Sequence, residues 1–341
     1  MRDDALRDVQ WRTLVSLLRA TVRSDEEVRV DPSTHQLLLS SGLGALHWWI
    51  FANRGQEGGP ASLKLEYKDA CLRAALLEKT ASEVVRALQA EGIEPLLMKG
   101  PAVARVYPDR ALRPYGDIDL AVAPDSFARA FDIVRNFVPR FGSIDLHAGV
   151  RELSDRPWPV LFERRSTIRI ADVVVATLGP EDHLRLMALH FLKHGGFRCI
   201  WLCDIALWLA SHRSGFDWSI FQSGDRWRRR GALMTVRLAH DLLGADVSGT
   251  PAATIAVPRW VTESVRNEWL TPGRWPGRPL VSAVLRHPSR YLAEARRRWP
   301  SPIESSWNFR APWNRMPRLP FQLLQIARYQ LPALLRSKLA V

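Results

Sequence analysis

Cysteine is scarce: Cys71, Cys199 and Cys203 are the whole complement of a 341-residue chain. An odd trio spread this widely makes no disulfide framework, which points to a reducing compartment. Cys199 and Cys203 are four apart and share a helix face. A metal reading would want more ligands nearby, and free cysteine mostly packs as a small hydrophobe. Long apolar runs are missing too. The most apolar early stretch, LLLSSGLGALHWWIFA (37–52), holds two Gly, two Ser and a His. It falls short of the roughly 20 apolar residues of a membrane span and reads as a buried helix or turn-helix. The opening MRDDALRDVQ has no apolar stretch of the kind a secretory signal carries. These absences lead to the expectation of a cytoplasmic protein. There are no internal repeats and no RNA-binding motif.

Acidic residues run out near the C-terminus. From Arg266 to Val341 there are 14 Lys and Arg against 3 Asp and Glu, so that stretch holds +11 of the net +13. The rest of the chain is nearly balanced. It is 47% hydrophobic and 24% charged overall, the make-up of a soluble globular protein with room for two or three subdomains.

Hydrophobic periodicity predicts an α+β organisation: a small mixed sheet flanked by helices, between N- and C-terminal helical regions. Helical pattern fills residues 1–90, apart from a Gly-rich break at 53–60. Over 65–90, Leu72, Leu76, Leu77, Ala81, Val84, Val85 and Leu88 fall on one face, and Gly92 stops the helix. The α/β core spans 91–178. Pro95 to Met98 reads as a buried strand, Lys99-Gly100-Pro101 as a turn into a helix at 102–107, and 108–116 as loop. Strands follow at 117–122, 143–150 and 167–176, with a helix from Pro124 carrying Phe127, Phe131, Val134 and Phe137. Residues 179–248 are helical again, at 181–195, 199–212 and 226–243. From 249 to 341 the chain is basic and rich in Trp and Pro.

The chemistry lies in RPYGDIDLAV (113–122). Strand side chains alternate, so Asp117 and Asp119 share one face while Ile118 and Leu120 take the other. Paired carboxylates repel unless a cation lies between them or one takes a proton. Hard oxygen ligands at this spacing suit Mg²⁺, with Mn²⁺ as the alternative. In SIDLHA (143–148), Asp145 and His147 share a face in the same way. If the two strands are neighbours, Asp145 joins the pair. That makes a two-metal platform, with Asp145 as metal ligand or as base for an acceptor hydroxyl. Gly100 permits close backbone approach at a helix start, and Lys99 adds a point charge. Arg113 could hold a phosphate with its planar fork. An isolated Asp-x-Asp is weak; the signal is the order Gly turn, helix, Asp-x-Asp strand, third acid.

MKGPAVARVYPDRALRPYGDIDLAV resembles the signature of the nucleotidyltransferase superfamily and, more narrowly, the bacterial "uncharacterised nucleotidyltransferase" family. IDLH (144–147), HLRLMALHFLKHG and WLCDIALWL resemble the family's later segments. The resemblance implies Asp117, Asp119 and Asp145 as catalytic metal ligands, and Lys99, Gly100, Arg113 and Gly116 at the nucleotide. It implies transfer of a nucleoside monophosphate from an NTP to an undefined small-molecule or peptide acceptor. Such proteins sit among biosynthetic genes for natural products or surface polysaccharides. Where the wider superfamily has Gly-Ser or Gly-Gly, this chain has Gly100-Pro101, which removes a hydroxyl and a backbone donor. Phosphate binding then leans on Lys99, Arg113 or other groups. The alternative is a catalytically degenerate fold that binds a nucleotide or a partner.

His147, His190, His194 and Asp204 are candidates for the acceptor pocket. His190 and His194 share a helix face, but zinc would need a further ligand and there is no His-Glu-x-x-His. Asp204 sits in the apolar helix IWLCDIALWL, and a buried acid needs a partner: His194, Lys193 or the pocket. The basic tail is expected to pack its Trp and Arg against the helical region. An anionic membrane surface or acidic partner is the next reading, with peripheral membrane attachment as its consequence, and nucleic acid the least favoured.

Overall fold

The structure, a computed structural model, describes residues 2–23, 25–26, 28, 30–53, 61–137, 143–271 and 299–330. The N-terminal region is helical: α1 (Arg2–Val22), α2 (His35–Ser40), α3 (Gly44–Asn53) and α4 (Ala61–Ala90). The apolar stretch 37–52 is a helix-turn-helix, with Gly42 at φ +74° making the turn. The Gly-rich segment 54–60 lies outside the described residues.

Five strands follow: β1 (Leu96–Met98), β2 (Asp117–Val122), β3 (Ser143–Ala148), β4 (Ser166–Ile170) and β5 (Val173–Thr177), in the order β3-β2-β1-β5-β4. β2 and β3 are parallel and β1 and β5 are parallel, whereas β1 with β2 and β4 with β5 are antiparallel. This is the expected small mixed sheet. The run 167–176, read as one strand, is a hairpin. Its turn is Ala171-Asp172, with Ala171 at φ +48°, so the sequence carried no Asn-Gly or Asp-Gly punctuation there. The helix expected at 102–107 is the single turn α5 (Gly100–Ala104), and α6 (Phe127–Val134) and α7 (Trp158–Glu163) complete this part.

One sheet face carries Leu97, Ile118, Leu120, Val122 and Val175, packed under α4 and α6. On α4, Leu77, Ala81, Val84, Val85 and Leu88 are buried there, but Leu72 and Leu76 are exposed. The expected stripe stops because the sheet ends; α3 packs against α4, and Leu72 and Leu76 face away from both.

The other sheet face carries Leu96, Met98, Ala121 and Ala176, and joins the larger core formed with α1, α3, α8 (Pro180–Lys193), α9 (Ile200–Ser211) and α11 (Arg226–Leu243). Asp119 lies on this face, 3% exposed. Helices cover this face at Asp119, while Asp117 at the start of β2 stays exposed and opens on a cleft at the sheet's edge. Asp182, in the first turn of α8, is held by Arg156 and Arg164, and Arg185 by Asp155.

Beyond α10 (Trp218–Gln222) and α12 (Arg259–Trp269), the described tail contains α13 (Pro302–Asn308) and α14 (Leu319–Gln325). Trp313 stacks on Trp227 and Trp260 at 5.3 and 6.3 Å, and the Arg318 guanidinium lies 4.3 Å over the Trp260 ring. Arg310 pairs with Asp225 and Arg266 with Asp8. This is the packing role expected of Trp and Arg; residues 272–298 and 331–341 lie outside the described residues. No described helix is long and apolar enough to cross a membrane.

Candidate active site

The site begins with a strained turn. Lys99 joins β1 to α5 at φ +47°, ψ −136°, a conformation that costs a non-glycine residue on the order of 1–3 kcal/mol. Its backbone N–H donates to Nε2 of His183 at 3.1 Å. The Thr177 hydroxyl donates to the Leu97 carbonyl at 2.8 Å, so its oxygen is left to accept from Nδ1 of His183, 3.4 Å away. That chain requires a neutral His183 protonated on Nδ1. Burial, reinforced by His212 and nearby cations, pushes His183 down to about 3. Gly100, at φ +28°, follows; a Cβ there would meet the Asp117 carbonyl at 3.4 Å, so the turn lies close against β2. Sequence reasoning missed His183, which looked like one more residue of an apolar helix.

The parallel pairing of β2 and β3 puts Asp119 opposite Asp145 and Ala121 opposite His147. Asp145 is thus beside the Asp-x-Asp pair. The Lys99 ammonium lies 2.6 Å from Oδ1 of Asp119. His147 reaches both acids, with Nε2 3.2 Å from Asp145 and 3.5 Å from Asp119. Burial would raise Asp119, but the adjacent His147 imidazole and the Lys99 ammonium hold it below its usual range. Asp117 is raised, first by burial and then by repulsion from Asp119, with Asp145 adding to it.

The compact group that could hold a metal is Asp119, Asp145 and His147, whose ligand atoms lie within 4.8 Å of one another. Asp117 stands outside that group but is coupled to it by charge. A divalent cation would relieve the repulsion that raises Asp117, and two or three carboxylates are the donor set Mg²⁺ takes. The residues therefore fit such an ion.

The cleft beside these acids has a volume of about 380 Å³. Lys99, Gly100, Gly116, Asp117, Asp119 and Asp145 line one side, and His190, His194, Phe197, Arg198 and Trp201 the other, with Tyr115 at the end of the loop. A Cβ on Gly116 would meet nothing within 4 Å, so this glycine leaves the rim open. Sequence reasoning did not single out Tyr115, Phe197, Arg198 or Trp201; the signal available was the aromatic and basic cluster FRCIW just after His194.

His190, in the last turn of α8, and His194, its C-cap, have ring centroids 4.4 Å apart and face the cleft. Burial lowers both, His194 to about 3, so both are neutral near pH 7. Glu152 stands beside them, its carboxylate bonded by Lys193 at 2.7 Å. The Lys193 ammonium holds Glu152 well below the usual carboxylate range in spite of its burial.

Two expectations are corrected. Arg113 borders the cleft but is not a free phosphate hand. Its Nε and terminal nitrogen donate to the two oxygens of Asp204 at 2.9 and 2.8 Å. Burial alone would lower Arg113, but the Asp204 carboxylate wins and raises it. Asp204, 1% exposed, pairs with neither His194 nor Lys193 and does not line the cleft; it also accepts from the Tyr107 hydroxyl at 2.7 Å. The buried acid found its partner in the loop before β2, which nothing in the helix spacing could disclose. Cys199 and Cys203 are buried and free, packed in the core.

A mixed sheet with a strained Lys-Gly turn, a neighbouring acid pair on two parallel strands and a helix-walled cleft is the architecture of a nucleotidyltransferase-like fold. The family profile described as "Uncharacterised nucleotidyltransferase" matches residues 55–137 and 140–244, more than half of the chain. The chain belongs to that family. No curated protein and no solved structure matches it.

Proposed function

We propose that the cleft binds a nucleoside triphosphate and transfers its nucleoside monophosphate to an acceptor hydroxyl or amine. The acceptor atom attacks the α-phosphorus, the bond to the bridging α–β oxygen breaks, and pyrophosphate leaves. The observation that carries this reading is the juxtaposition of the Lys99-Gly100 turn with Asp119 and Asp145 in one cleft. Lys99, although paired with Asp119, and Arg198, which lies beside the Phe197 and Trp201 rings, are cations facing the cleft, and they take the phosphates. Tyr115, Phe197 and Trp201 supply apolar surface for a base or an acceptor. Mg²⁺ or Mn²⁺, held by Asp117, Asp119 and Asp145, would supply charge neutralisation on the phosphates. Asp145, 55% exposed at its side chain, takes the acceptor's proton in this reading, with Nε2 of His147 3.2 Å away. His190 and His194 face the acceptor from the opposite wall.

A second reading is a nucleotide-binding protein without transfer. The Lys99–Asp119 ion pair favours it, because the ammonium already neutralises one of the carboxylates. One experiment separates the two. The protein is incubated with each of the four NTPs, Mg²⁺ and a cell lysate, and products are screened for nucleotidyl mass increments and released pyrophosphate. Transfer predicts both, abolished by Asp117→Ala or Asp119→Ala with the fold retained. A melting shift with NTP but no pyrophosphate establishes the binding-only reading. No shift with any NTP overturns both.

A further inference from the structure

The acid cluster is not the only group of ligands on the cleft. We propose that Glu152, His190 and His194 form a transition-metal site, with Zn²⁺ as the ion that fits it. The two histidines are four apart, His190 in the last turn of α8 and His194 at its C-cap, and their rings lie together, 4.4 Å between centroids. The sequence offered no third ligand; the fold supplies one. Glu152 sits in the helical turn Arg151–Leu153, which packs against α8. One ligand atom from each of the three lies within 4.8 Å of the others.

A second observation points to a ligand there. Nδ1 of His190 is buried and lacks a hydrogen-bond partner, since the Glu152 carboxylate is 3.7 Å away, beyond bonding range. Buried ring nitrogens are normally paired, because leaving one unpaired costs about 1–3 kcal/mol. Trp201 presses edge-on against both rings, at 4.7 and 5.7 Å between centroids, and limits their reorientation. Neutral imidazoles with free lone pairs are the state that binds metal.

The chemistry of the donors selects the ion. Two imidazoles and one carboxylate suit Zn²⁺, with a fourth position left for water or substrate. The acid group offers mainly the carboxylate oxygens that Mg²⁺ takes, with His147 as its single imidazole. Lys193, the cation bonded to Glu152, opposes a second positive charge. It is also positioned as the outer partner of a ligating carboxylate, since Glu152 has a second oxygen to offer. His190 and His194 line the cleft shared with Asp117 and Asp119, so the open position faces the space assigned above to the acceptor. That last assignment rests on the proposed transfer reaction; the metal site does not.

The test therefore uses no nucleotide. Full-length protein is stripped with a chelator and titrated with ZnCl₂ against a chromophoric competitor, then with CoCl₂ while visible spectra are recorded. The expected result is stoichiometric zinc binding, weakened about 100-fold or more by His194→Ala and Glu152→Gln and unchanged in Asp145→Asn. Intense visible bands from Co²⁺ in the wild type are expected of a four-coordinate site. The proposal is overturned by non-stoichiometric binding, by binding that survives both substitutions, or by binding lost with Asp145→Asn. Should the variants lose helical signal, the wild-type cobalt spectrum decides: weak, six-coordinate bands reject the site.

Discussion

Replacing Asp204 with alanine should cost about 3–5 kcal/mol of stability, the range for breaking a buried ion pair by removing one partner. Arg113 is 5% exposed and directs Nε and a terminal nitrogen at Asp204, which also accepts from Tyr107. Removal of the carboxylate leaves a guanidinium charge in the core, and the Tyr107 hydroxyl loses its 2.7 Å acceptor. Folded domains hold only about 5–15 kcal/mol in total, so the loss is a large fraction of the whole. The triple variant Arg113→Met, Tyr107→Phe, Asp204→Leu removes every polar member together and should fall within about 2 kcal/mol of wild type, or exceed it, because no charge is stranded. Urea unfolding followed by circular dichroism measures both, with a constant slope as the check on two-state behaviour. A loss under about 1 kcal/mol for Asp204→Ala would refute the argument that this pair is a buried structural clamp. So would a triple variant as unstable as the single one. If the triple variant folds and still binds nucleotide like wild type, Arg113 is confirmed as a clamp on the β2 loop and not a phosphate contact.

Acid should destabilise the protein well above the carboxylate range. His183 and His47 are pushed down to about 3 and about 4, mainly by burial, while unfolded histidine titrates near 6.5. The unfolded chain therefore takes up protons that the native state refuses, and stability falls as pH drops through the window between those values. The slope is on the order of 1 kcal/mol per pH unit per histidine. Glu152, held low in the native state, adds a further loss as pH falls below its unfolded value. Urea midpoints that stay flat from about pH 7 to about pH 5 would contradict this. His183→Leu removes the acceptor for the Lys99 N–H and should cost about 1–3 kcal/mol in the same assay; no cost would mean the turn is held without it.

The sequence was most legible where a local pattern decides the outcome. Alternation in 117–122 put Asp117 and Asp119 on one face whatever the rest of the chain did, because strand side chains alternate by geometry. Apolar spacing located α4, α8 and α11 within a few residues, and Pro-Gly punctuation marked most turns. The hairpin at Ala171-Asp172 escaped because its turn holds no Gly or Asn and its positive φ falls on Ala171, a residue type that rarely adopts it. Partners across long separations escaped for a deeper reason. Asp204 and Arg113 are 91 residues apart, and His183 and Lys99 are 84 apart. Nothing local selects one cation or one acceptor over the many available.

The sequence by itself determined the chemistry on offer: a Lys-Gly turn, two acids on one strand face, a third acid on another strand and two histidines one helical turn apart. Only the tertiary structure decided how they are spent. Parallel pairing of β2 with β3 set Asp145 beside Asp119. The packing of α8 and α9 over that face buried Asp119, withdrew Arg113 into a clamp and brought Glu152 to His190 and His194. The physical reason is that side-chain direction is fixed by the local backbone, whereas burial and pairing depend on which distant surface closes over each group.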